Sequence, residues 1–266
     1  MSPESIDDNL TTSQTPVSVS VVVPCFNEAG ALEQLSERLA ATSAAHRDRF
    51  DFEFVFVDDG SSDETWDDLQ RIFGDRTDCV LVQHSNNRGI AAAIRTGIRR
   101  SHHEFVVSMD ADCTYDPMQI GDLVDTLRLG QDAVMVTASP YHPQGKVHGI
   151  PGWRLALSQT ASRIYRVLIG ESLHTYTACF RAYRKSVVEH MPGTESGFVG
   201  VAEMLWAASR NGRVLECPTV LTSRRVGYSK MKTLPVILGH ARLMNRILWS
   251  QQSKQRKRER ANPSPL

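Results

Sequence analysis

Short apolar segments alternate with amphipathic segments along the first half of the chain. Runs rich in β-branched and aromatic residues predict five strands, at 17–23, 52–57, 79–83, 105–109 and 133–136. Helical spacing of apolar positions predicts helices between them, at 29–45, 61–73, 88–100 and 117–128. Ser61 and Glu64 have the spacing of a capping box, and Pro117 suits a first helical turn. This alternation is typical of an α/β fold with a mostly parallel sheet.

The pattern becomes less regular after the fifth predicted strand. Residues 139–152 contain three prolines and three glycines, which predicts a long mobile loop. Further helices are expected at 153–169, 201–210 and 234–249, and further strands at 179–184 and 214–221. We therefore predict a disordered lead at 1–16, one domain at 17–232, an amphipathic helix at 233–250 and a basic disordered tail at 251–266.

Polar residues follow three of the predicted strands directly. They are Asn27-Glu28, Asp58-Asp59 and Asp110-Ala111-Asp112. Because ligands of parallel sheets bind beyond the carboxyl ends of the strands, we expect these loops to converge on one edge. Two carboxylates one residue apart can hold a hard cation, and carboxylates after the second strand could bind a nucleotide. The alternatives are a polar strand end for the first pair and a turn with a helix cap for Asp-Gly-Ser.

The segment after the first strand excludes one class of enzyme. It begins at Pro24 and continues through Cys25 and Phe26, where a dinucleotide-binding protein would have a glycine-rich turn. The missing glycines argue against a nicotinamide or flavin enzyme.

Composition and charge narrow the choice of partners. The 266 residues carry 30 acidic and 30 basic side chains, so the protein as a whole is no polyanion binder, and we expect no nucleic-acid partner. Five cysteines without a CxxC pair favour reduced thiols in the cytoplasm. No apolar run reaches the roughly 18 residues that span a bilayer. The basic amphipathic helix near the end could lie on the inner face of a membrane, or dock on the domain with a solvated tail.

Four segments in the first half carry a family resemblance. They are Val21-Val22-Val23-Pro24-Cys25-Phe26-Asn27-Glu28, Phe56-Val57-Asp58-Asp59-Gly60-Ser61-Ser62-Asp63, Asn86-Asn87-Arg88-Gly89 and Met109-Asp110-Ala111-Asp112. In this order and spacing they resemble glycosyltransferase family 2, whose inverting enzymes have the glycosyltransferase-A fold. The resemblance runs from about residue 17 to 232. The fold it implies is a Rossmann-like, mostly parallel sheet flanked by helices, here followed by a C-terminal amphipathic helix.

The second half looks most like the dolichol- or polyprenyl-phosphate mannosyltransferase group. The matching elements are Phe180-Arg181, Gly197-Phe198 with Glu203-Met204, and Arg224-Arg225-Val226-Gly227-Tyr228-Ser229-Lys230. The resemblance implies transfer of a sugar, with inversion, from a nucleotide-sugar donor to a lipid-phosphate acceptor at the cytoplasmic membrane face, with Mg²⁺ or Mn²⁺ as cofactor.

This hypothesis assigns roles to individual residues. The metal ligands are Asp110 and Asp112, and Asp112 is also a catalytic candidate. The donor site comprises Pro24, Asn27, Glu28, Asp58, Asp59 and Asp110. The phosphate site comprises Arg154, Arg224, Ser229 and Lys230. Glu203 is the candidate base for a hydroxyl acceptor, although a carboxylate near a helix start also simply favours the helix dipole.

Two departures from the group keep alternatives open. Thr114 stands where the group usually has glutamine, and Ala138-Ser139-Pro140 stands where it usually has Gly-Ser-Arg. The alternatives are a family 2 enzyme that acts on a glycan or another hydroxyl acceptor, and an inactive protein that binds nucleotide sugars. A nucleotidyltransferase would also use acidic metal sites on such a sheet.

Overall fold

A seven-stranded sheet forms the centre of the protein. The computed structural model describes residues 15–191, 193–223 and 233–261. The strands are β1 Val17–Cys25, β2 Phe50–Asp58, β3 Cys79–Gln83, β4 Phe105–Ser108, β5 Ala133–Ser139, β7 Arg181–Arg184 and β8 Arg213–Pro218. Two short strands, β6 Lys146–Val147 and β9 Val220–Leu221, pair separately.

The sheet is mostly parallel, as predicted. Its order is β3-β2-β1-β4-β7-β5-β8. Strands β1 to β4 are parallel to one another, and β5 is parallel to β8. β7 runs antiparallel between β4 and β5, so a strand from the second half of the chain joins the two parallel parts.

Helices cover both faces of this sheet. They are α1 Leu32–His46, α2 Thr65–Phe73, α3 Ile90–Arg100, α4 Ile120–Leu129, α5 Gly152–Ile169, α6 Lys185–Val188, α7 Gly197–Ala208 and α8 Thr233–Ala261, with 3₁₀ turns at Ala29–Ala31 and Pro117–Gln119. Alternate strand residues face opposite layers: Val21 and Phe54 pack with α1, α2 and α4, whereas Val22 and Val55 pack with α3, α7 and α8. Of the helices in the described ranges, none combines the length and the apolar character needed to cross a bilayer.

The capping box predicted for Ser61 and Glu64 was wrong. α2 begins at Thr65, and the Glu64 side chain makes no cap hydrogen bond. The Ser61 hydroxyl instead donates to the carboxylate of Asp58 and accepts from the backbone of Asn27 at 2.9 Å. Asp63, which lies before the N-cap residue Glu64, accepts a hydrogen bond from Thr65 N at 3.1 Å. A hydrogen bond from a hydroxyl to an ionised carboxylate is stronger than a hydrogen bond between a hydroxyl and a neutral backbone amide. This difference favours the position in which Ser61 points toward Asp58.

Three other segments differ from their predictions. The strand predicted at 214–221 is divided into β8 and β9 at Pro218, because proline has no N–H to donate to a ladder. The long loop predicted at 139–152 contains β6. The backbone of α8 continues past residue 250 to Ala261, because the Gln, Lys, Arg and Glu residues there are good helix formers.

Candidate active site

A cavity of about 1220 Å³ lies beyond the carboxyl ends of β1, β2 and β4. Pro24 and Glu28 line it from the end of β1, Asp59 from the end of β2, and Asp110 and Asp112 from the end of β4. The predicted convergence of the three acidic strand ends is therefore confirmed. All three ends contribute to one cavity because neighbouring parallel strands finish at the same edge of the sheet.

The turn after β4 presents the two carboxylates. Cys113 has φ of 51°, in the left-handed region, which reverses the chain directly after Asp112. Asp112 Oδ1 accepts a hydrogen bond from Thr114 N at 3.1 Å. Cys179 lines the cavity together with this turn. Burial raises the pKa of its thiol well above the usual value, and the charge of Asp110 raises it further, so Cys179 is a neutral thiol at physiological pH.

Asp110 and Asp112 suit a cation that is shared with a substrate. The described residues contain no group of three or more His, Cys, Asp or Glu side chains placed to hold a metal by themselves. Mg²⁺ and Mn²⁺ sites that serve nucleotides need only one or two carboxylates, because substrate phosphates and water supply the other ligands. The donor set of this turn therefore fits a divalent cation that arrives with a diphosphate.

The two aspartates at the end of β2, Asp58 and Asp59, have different roles. Asp58 is fully buried; its Oδ1 accepts from the backbone and hydroxyl of Ser61, and its Oδ2 accepts from Gln83 Nε2 at 3.1 Å. It does not line the cavity. The prediction that Asp58 contacts the nucleotide is not supported by this placement, because both of its oxygens bind groups of the protein.

Asp59 lines the cavity and holds the segment opposite. Its Oδ1 accepts from Arg88 N at 3.0 Å and from His84 Nδ1 at 2.7 Å. Its Oδ2 accepts from Gly89 N at 2.7 Å. Asp59 therefore fixes the position of Arg88, whose side chain also lines the cavity.

Asn27 supports the rim of the site and does not line the cavity. Its backbone is left-handed, with φ of 54°. Its Oδ1 accepts from Ser62 N at 2.8 Å, which joins the β1 loop to the β2 loop. The next residue, Glu28, is fixed by its backbone N–H, which donates to Thr65 Oγ1 at 2.7 Å, and it does line the cavity.

Arginines line other parts of the same cavity. Arg154, predicted from the sequence, lies on α5 with its guanidinium 5.2 Å from the ring centroid of Trp153. Sequence reasoning did not assign Arg88 or Arg242 on α8, which also line the cavity. Arg88 belongs to the quoted Asn86-Asn87-Arg88-Gly89 segment and could have been found there, whereas nothing in the spacing of α8 points Arg242 at a ligand. The predicted phosphate ligands Arg224, Ser229 and Lys230 lie outside the described residues.

The structure does not bring Glu203 to the cavity. Its side chain is buried on α7, and its two oxygens accept hydrogen bonds from Thr194 and Glu195 and bind Arg246. Both oxygens are engaged within the protein and the residue does not line the cavity, which argues against the predicted catalytic base. The carboxylate that lines the cavity in this region is Glu195.

This site combines a carboxylate pair with arginines at the carboxyl edge of a mostly parallel sheet, as in transferases that use nucleotide donors. The sequence model of glycosyl transferase family 2 matches residues 20–191. The chain therefore belongs to glycosyl transferase family 2 and is a glycosyltransferase.

Among the proteins that are similar to this chain are three sugar transferases. Polyprenol monophosphomannose synthase of Mycolicibacterium smegmatis is 33% identical over 222 residues, which cover 79% of this chain and 80% of that protein. Dolichol-phosphate mannosyltransferase of Pyrococcus furiosus is 28% identical over 218 residues, covering 81% of this chain and 60% of that protein. An undecaprenyl-phosphate 4-deoxy-4-formamido-L-arabinose transferase of Pseudomonas paraeruginosa is 35% identical over 176 residues, covering 65% of this chain and 49% of that protein. The predicted resemblance to the polyprenyl-phosphate group is confirmed.

Solved structures agree with the predicted fold. Glucosyl-3-phosphoglycerate synthase from Mycobacterium tuberculosis, in a complex with Mn²⁺, uridine diphosphate and glucosyl-3-phosphoglycerate, has a TM-score of 0.61 at 17% identity, covering 88% of this chain and 79% of that chain. A complex of the same enzyme with phosphoglyceric acid has a TM-score of 0.62. The protein has the glycosyltransferase-A fold.

Proposed function

We propose that this glycosyltransferase moves a sugar from a nucleoside-diphosphate sugar to a polyprenyl phosphate, with a divalent cation, at the cytoplasmic face of a membrane. The observation that carries the proposal is one cavity that is lined by acidic residues from three strand ends and by arginines from other elements. The names of the three relatives refer to polyprenol monophosphomannose, dolichol phosphate and undecaprenyl phosphate. These names favour a polyprenyl phosphate as the acceptor.

The two charge types in the cavity suit two parts of this reaction. Asp110 and Asp112 are the residues that would hold Mg²⁺ or Mn²⁺. A cation bound there would offset the charge that develops on the nucleoside diphosphate as it leaves. Arg154 and Arg242 carry fixed positive charge on the α5 and α8 sides, where they can bind phosphate oxygens of the acceptor.

A phosphate acceptor removes the need for a strong general base. The second pKa of a phosphate monoester is about 6, so its oxygen is already a nucleophile at neutral pH. The engaged position of Glu203 agrees with such a reaction. Direct attack of that oxygen on the anomeric carbon, opposite the departing diphosphate, inverts the configuration of the sugar.

Exposed apolar side chains on α5 and α8 favour a membrane location. Trp153 and Val167 are exposed on α5, and Leu234, Leu238 and Trp249 are exposed on α8. Trp153 also lines the cavity, so the apolar surface reaches the cavity itself. In the sequence, the basic residues Lys254, Arg256, Lys257, Arg258 and Arg260 follow. Apolar side chains beside basic ones suit the interface of an anionic membrane.

Product analysis tests the acceptor. Purified protein is incubated with radiolabelled nucleotide sugars, Mn²⁺ and undecaprenyl phosphate in detergent. We expect label in a lipid product that mild acid hydrolyses, and no label when the phosphate is replaced by free undecaprenol. No lipid product with any donor would overturn the proposed acceptor.

The cation is tested in the same assay. EDTA should abolish turnover, and excess Mn²⁺ or Mg²⁺ should restore it. The unfolding temperature of the free protein should not change, because the described core contains no cluster that holds a metal by itself. Full turnover in EDTA would refute the role of the cation.

A second candidate is transfer to a sugar hydroxyl. It is favoured by the position of Glu195, which lines the cavity and could accept the hydroxyl proton. This candidate predicts label in an oligosaccharide, no lipid product, and loss of turnover in Glu195→Gln.

A further inference from the structure

α8 forms part of the cavity wall. Its residues Pro235, Val236, Gly239 and Arg242 line the cavity. On its inner side Leu243 and Ile247 are fully buried against the core that contains α7. Gly239 packs so closely on α7 that a Cβ there would lie 2.6 Å from Val199 Cγ2. The position of α8 therefore determines the shape of this side of the cavity.

A neighbouring wall is a short segment before and at the start of α7. We call Thr194, Glu195, Ser196 and Gly197 the 194–197 strip; the last three line the cavity. Glu203, which lies one to two turns further along α7, binds the 194–197 strip through hydrogen bonds. Glu203 Oε2 accepts from Thr194 N at 2.9 Å and from Glu195 N at 2.8 Å, and Oε1 accepts from the Thr194 hydroxyl at 2.6 Å.

Arg246 of α8 completes this contact from the other side. Its Nη2 lies 2.6 Å from Glu203 Oε1 and 3.6 Å from Glu195 Oε1, and its Nη1 donates to the Thr194 hydroxyl. The side chain of Glu203 is only 7% exposed, whereas that of Arg246 is 37% exposed, so the carboxylate is the buried partner of the pair. Breaking a buried pair leaves an uncompensated charge, which makes the alternative positions of α8 unfavourable.

The geometry links this pair to the cavity arginine. Arg242 lies one helical turn before Arg246, so the two project from the same side of α8. Fixing Arg246 on Glu203 therefore fixes Arg242 at the cavity. The same pair also sets the 194–197 strip, with Gly197 lying against Gly89: a Cβ on Gly89 would lie 2.5 Å from Gly197 N. Arg88 and Gly89 are in turn held by Asp59.

We infer that Glu203 and Arg246 form a clamp that positions α8 and the 194–197 strip for the acceptor, so that Glu203 is a positioning residue. The inference rests on the proposed function for its identification of the acceptor side. It replaces the role of Glu203 as a base and connects the apolar helix to the shape of the site.

The kinetic test compares Arg246→Met, Glu203→Gln and the double variant in the full-length protein. In Arg246→Met we expect the KM for undecaprenyl phosphate to rise about tenfold or more, because a displaced Arg242 loses a charge-assisted contact with the acceptor phosphate. The kcat should stay within about twofold, because the lost contact stabilises the bound acceptor and the transition state equally. The double variant should be no worse than the worse single one, and Arg246→Lys should recover part of the loss.

A matched control shows whether loss of any ion pair would have this effect. Arg71 also bridges two carboxylates, Glu33 and Asp68, but it lies away from the cavity. Arg71→Met should leave both KM values unchanged. An unchanged acceptor KM in Arg246→Met, whatever its unfolding temperature, would overturn the clamp and leave the pair with a purely structural role.

Hydrogen exchange tests the clamp without any substrate. In Arg246→Met, amides of the 194–197 strip should exchange faster than in the wild type, and Arg246→Lys should restore part of the protection. Unchanged exchange would overturn the clamp. If the wild type yields no lipid product, the proposed acceptor fails, while the exchange result still decides whether α8 holds the strip.

Discussion

Asp112 is the single side chain on which the proposed chemistry depends most. Its charge is the property at stake, because the hydrogen bond that it accepts from Thr114 N at 3.1 Å can also be made to an amide oxygen. We expect Asp112→Asn to lower turnover about 10²-fold or more, the usual cost of removing one group that stabilises developing charge. The thermal unfolding midpoint should not change. Initial rates with saturating Mn²⁺ and both substrates measure the effect.

The control is an aspartate four residues further along the chain. Asp116 accepts from Met118 N at 3.1 Å, forms an ion pair with Arg38 at 3.3 Å and does not line the cavity. Asparagine caps a helix as well as aspartate does, so Asp116→Asn should keep wild-type rates. If Asp112→Asn also kept them, the carboxylate pair could not be the cation site.

The two aspartates at the end of β2 show what can and cannot be predicted for single residues from the sequence. Both Asp58 and Asp59 follow an apolar strand, so both were predicted to contact the nucleotide. Adjacent residues of an extended chain point to opposite sides, so one of the two had to turn away. Only the register of β2 in the sheet decides that Asp58 faces Gln83 and Ser61. Glu203 is a second such case, because one of the groups that engage it, Arg246, lies on α8, far along the chain.

At the scale of single elements, Arg181 ties β7 to its surroundings. It is the largest side chain that is fully buried in the described protein. Its guanidinium donates to Val201 O at 2.6 Å, Tyr176 O at 2.8 Å and Thr137 Oγ1 at 3.4 Å. Arg181→Met would remove these buried hydrogen bonds, so we expect the free energy of unfolding in urea to fall by about 2–4 kcal/mol.

The neighbouring Arg184 on the same strand is the matched control. It is half-buried, donates to one carbonyl, Ala133 O, at 2.9 Å, and lies over the ring of Phe105. Arg184→Met should therefore cost about 1 kcal/mol. An equal decrease in the free energy of unfolding in the two variants would show that the buried hydrogen bonds of Arg181 contribute no more than the single bond of Arg184.

Glu53 makes the sheet sensitive to acid. Burial alone would raise its pKa, but hydrogen bonds from Ser20 and His102 outweigh burial, and the pKa lies below its ordinary value of 4.5. A depressed pKa in the folded state means that the stabilisation is complete above pH 4.5 and is lost as the pH falls through the lower folded value. We expect Glu53→Gln to be less stable than the wild type at pH 7.

The difference between Glu53→Gln and the wild type should shrink as the pH falls below 4.5. Urea unfolding at several pH values measures it. A constant difference across this range would contradict the assignment of the pKa shift to Glu53.

The elements themselves follow from periodicity, whereas their partners do not. β3 was predicted with the bounds Cys79–Gln83 that it has, because its apolar run is bounded by polar residues on both sides. β7 was predicted as a strand, but nothing in its own residues indicates that it inserts antiparallel between β4 and β5. That position depends on groups of other elements, among them the Thr137 hydroxyl and the Val201 backbone carbonyl, to which Arg181 donates.

On the scale of the whole molecule, the site depends on parts that are far apart in sequence. The acidic edge comes from residues 24–26, 28, 59 and 110–112, and another wall from 195–199 and from four residues of α8. The acidic edge could be predicted, because the carboxyl ends of parallel strands lie at the same edge of a sheet. The other wall could not, since α8 was predicted only as an amphipathic helix, which could equally have lain on a membrane or docked on the domain.

The docked part of α8 and its basic end should therefore be separable. Leu243 and Ile247 are fully buried, and the Gln251 side chain donates to Leu168 O. A chain that ends after Gln252 keeps all three, so it should unfold within about 2 °C of the full-length protein. A chain that ends at 232 loses them and exposes apolar partners on α7, so it should aggregate or unfold at much lower temperature.

The two truncations also separate docking from membrane binding. The chain ending after Gln252 lacks the five basic residues between Lys254 and Arg260. Each basic residue near an anionic surface contributes about 1 kcal/mol, so binding to phosphatidylglycerol vesicles should fall about 10²-fold or more. The binding of the full-length protein should weaken at high salt, because the attraction is screened. If the shorter chain bound vesicles as tightly as the full-length protein, the exposed apolar residues of α5 and α8 would suffice, and the basic end would have no part in membrane binding.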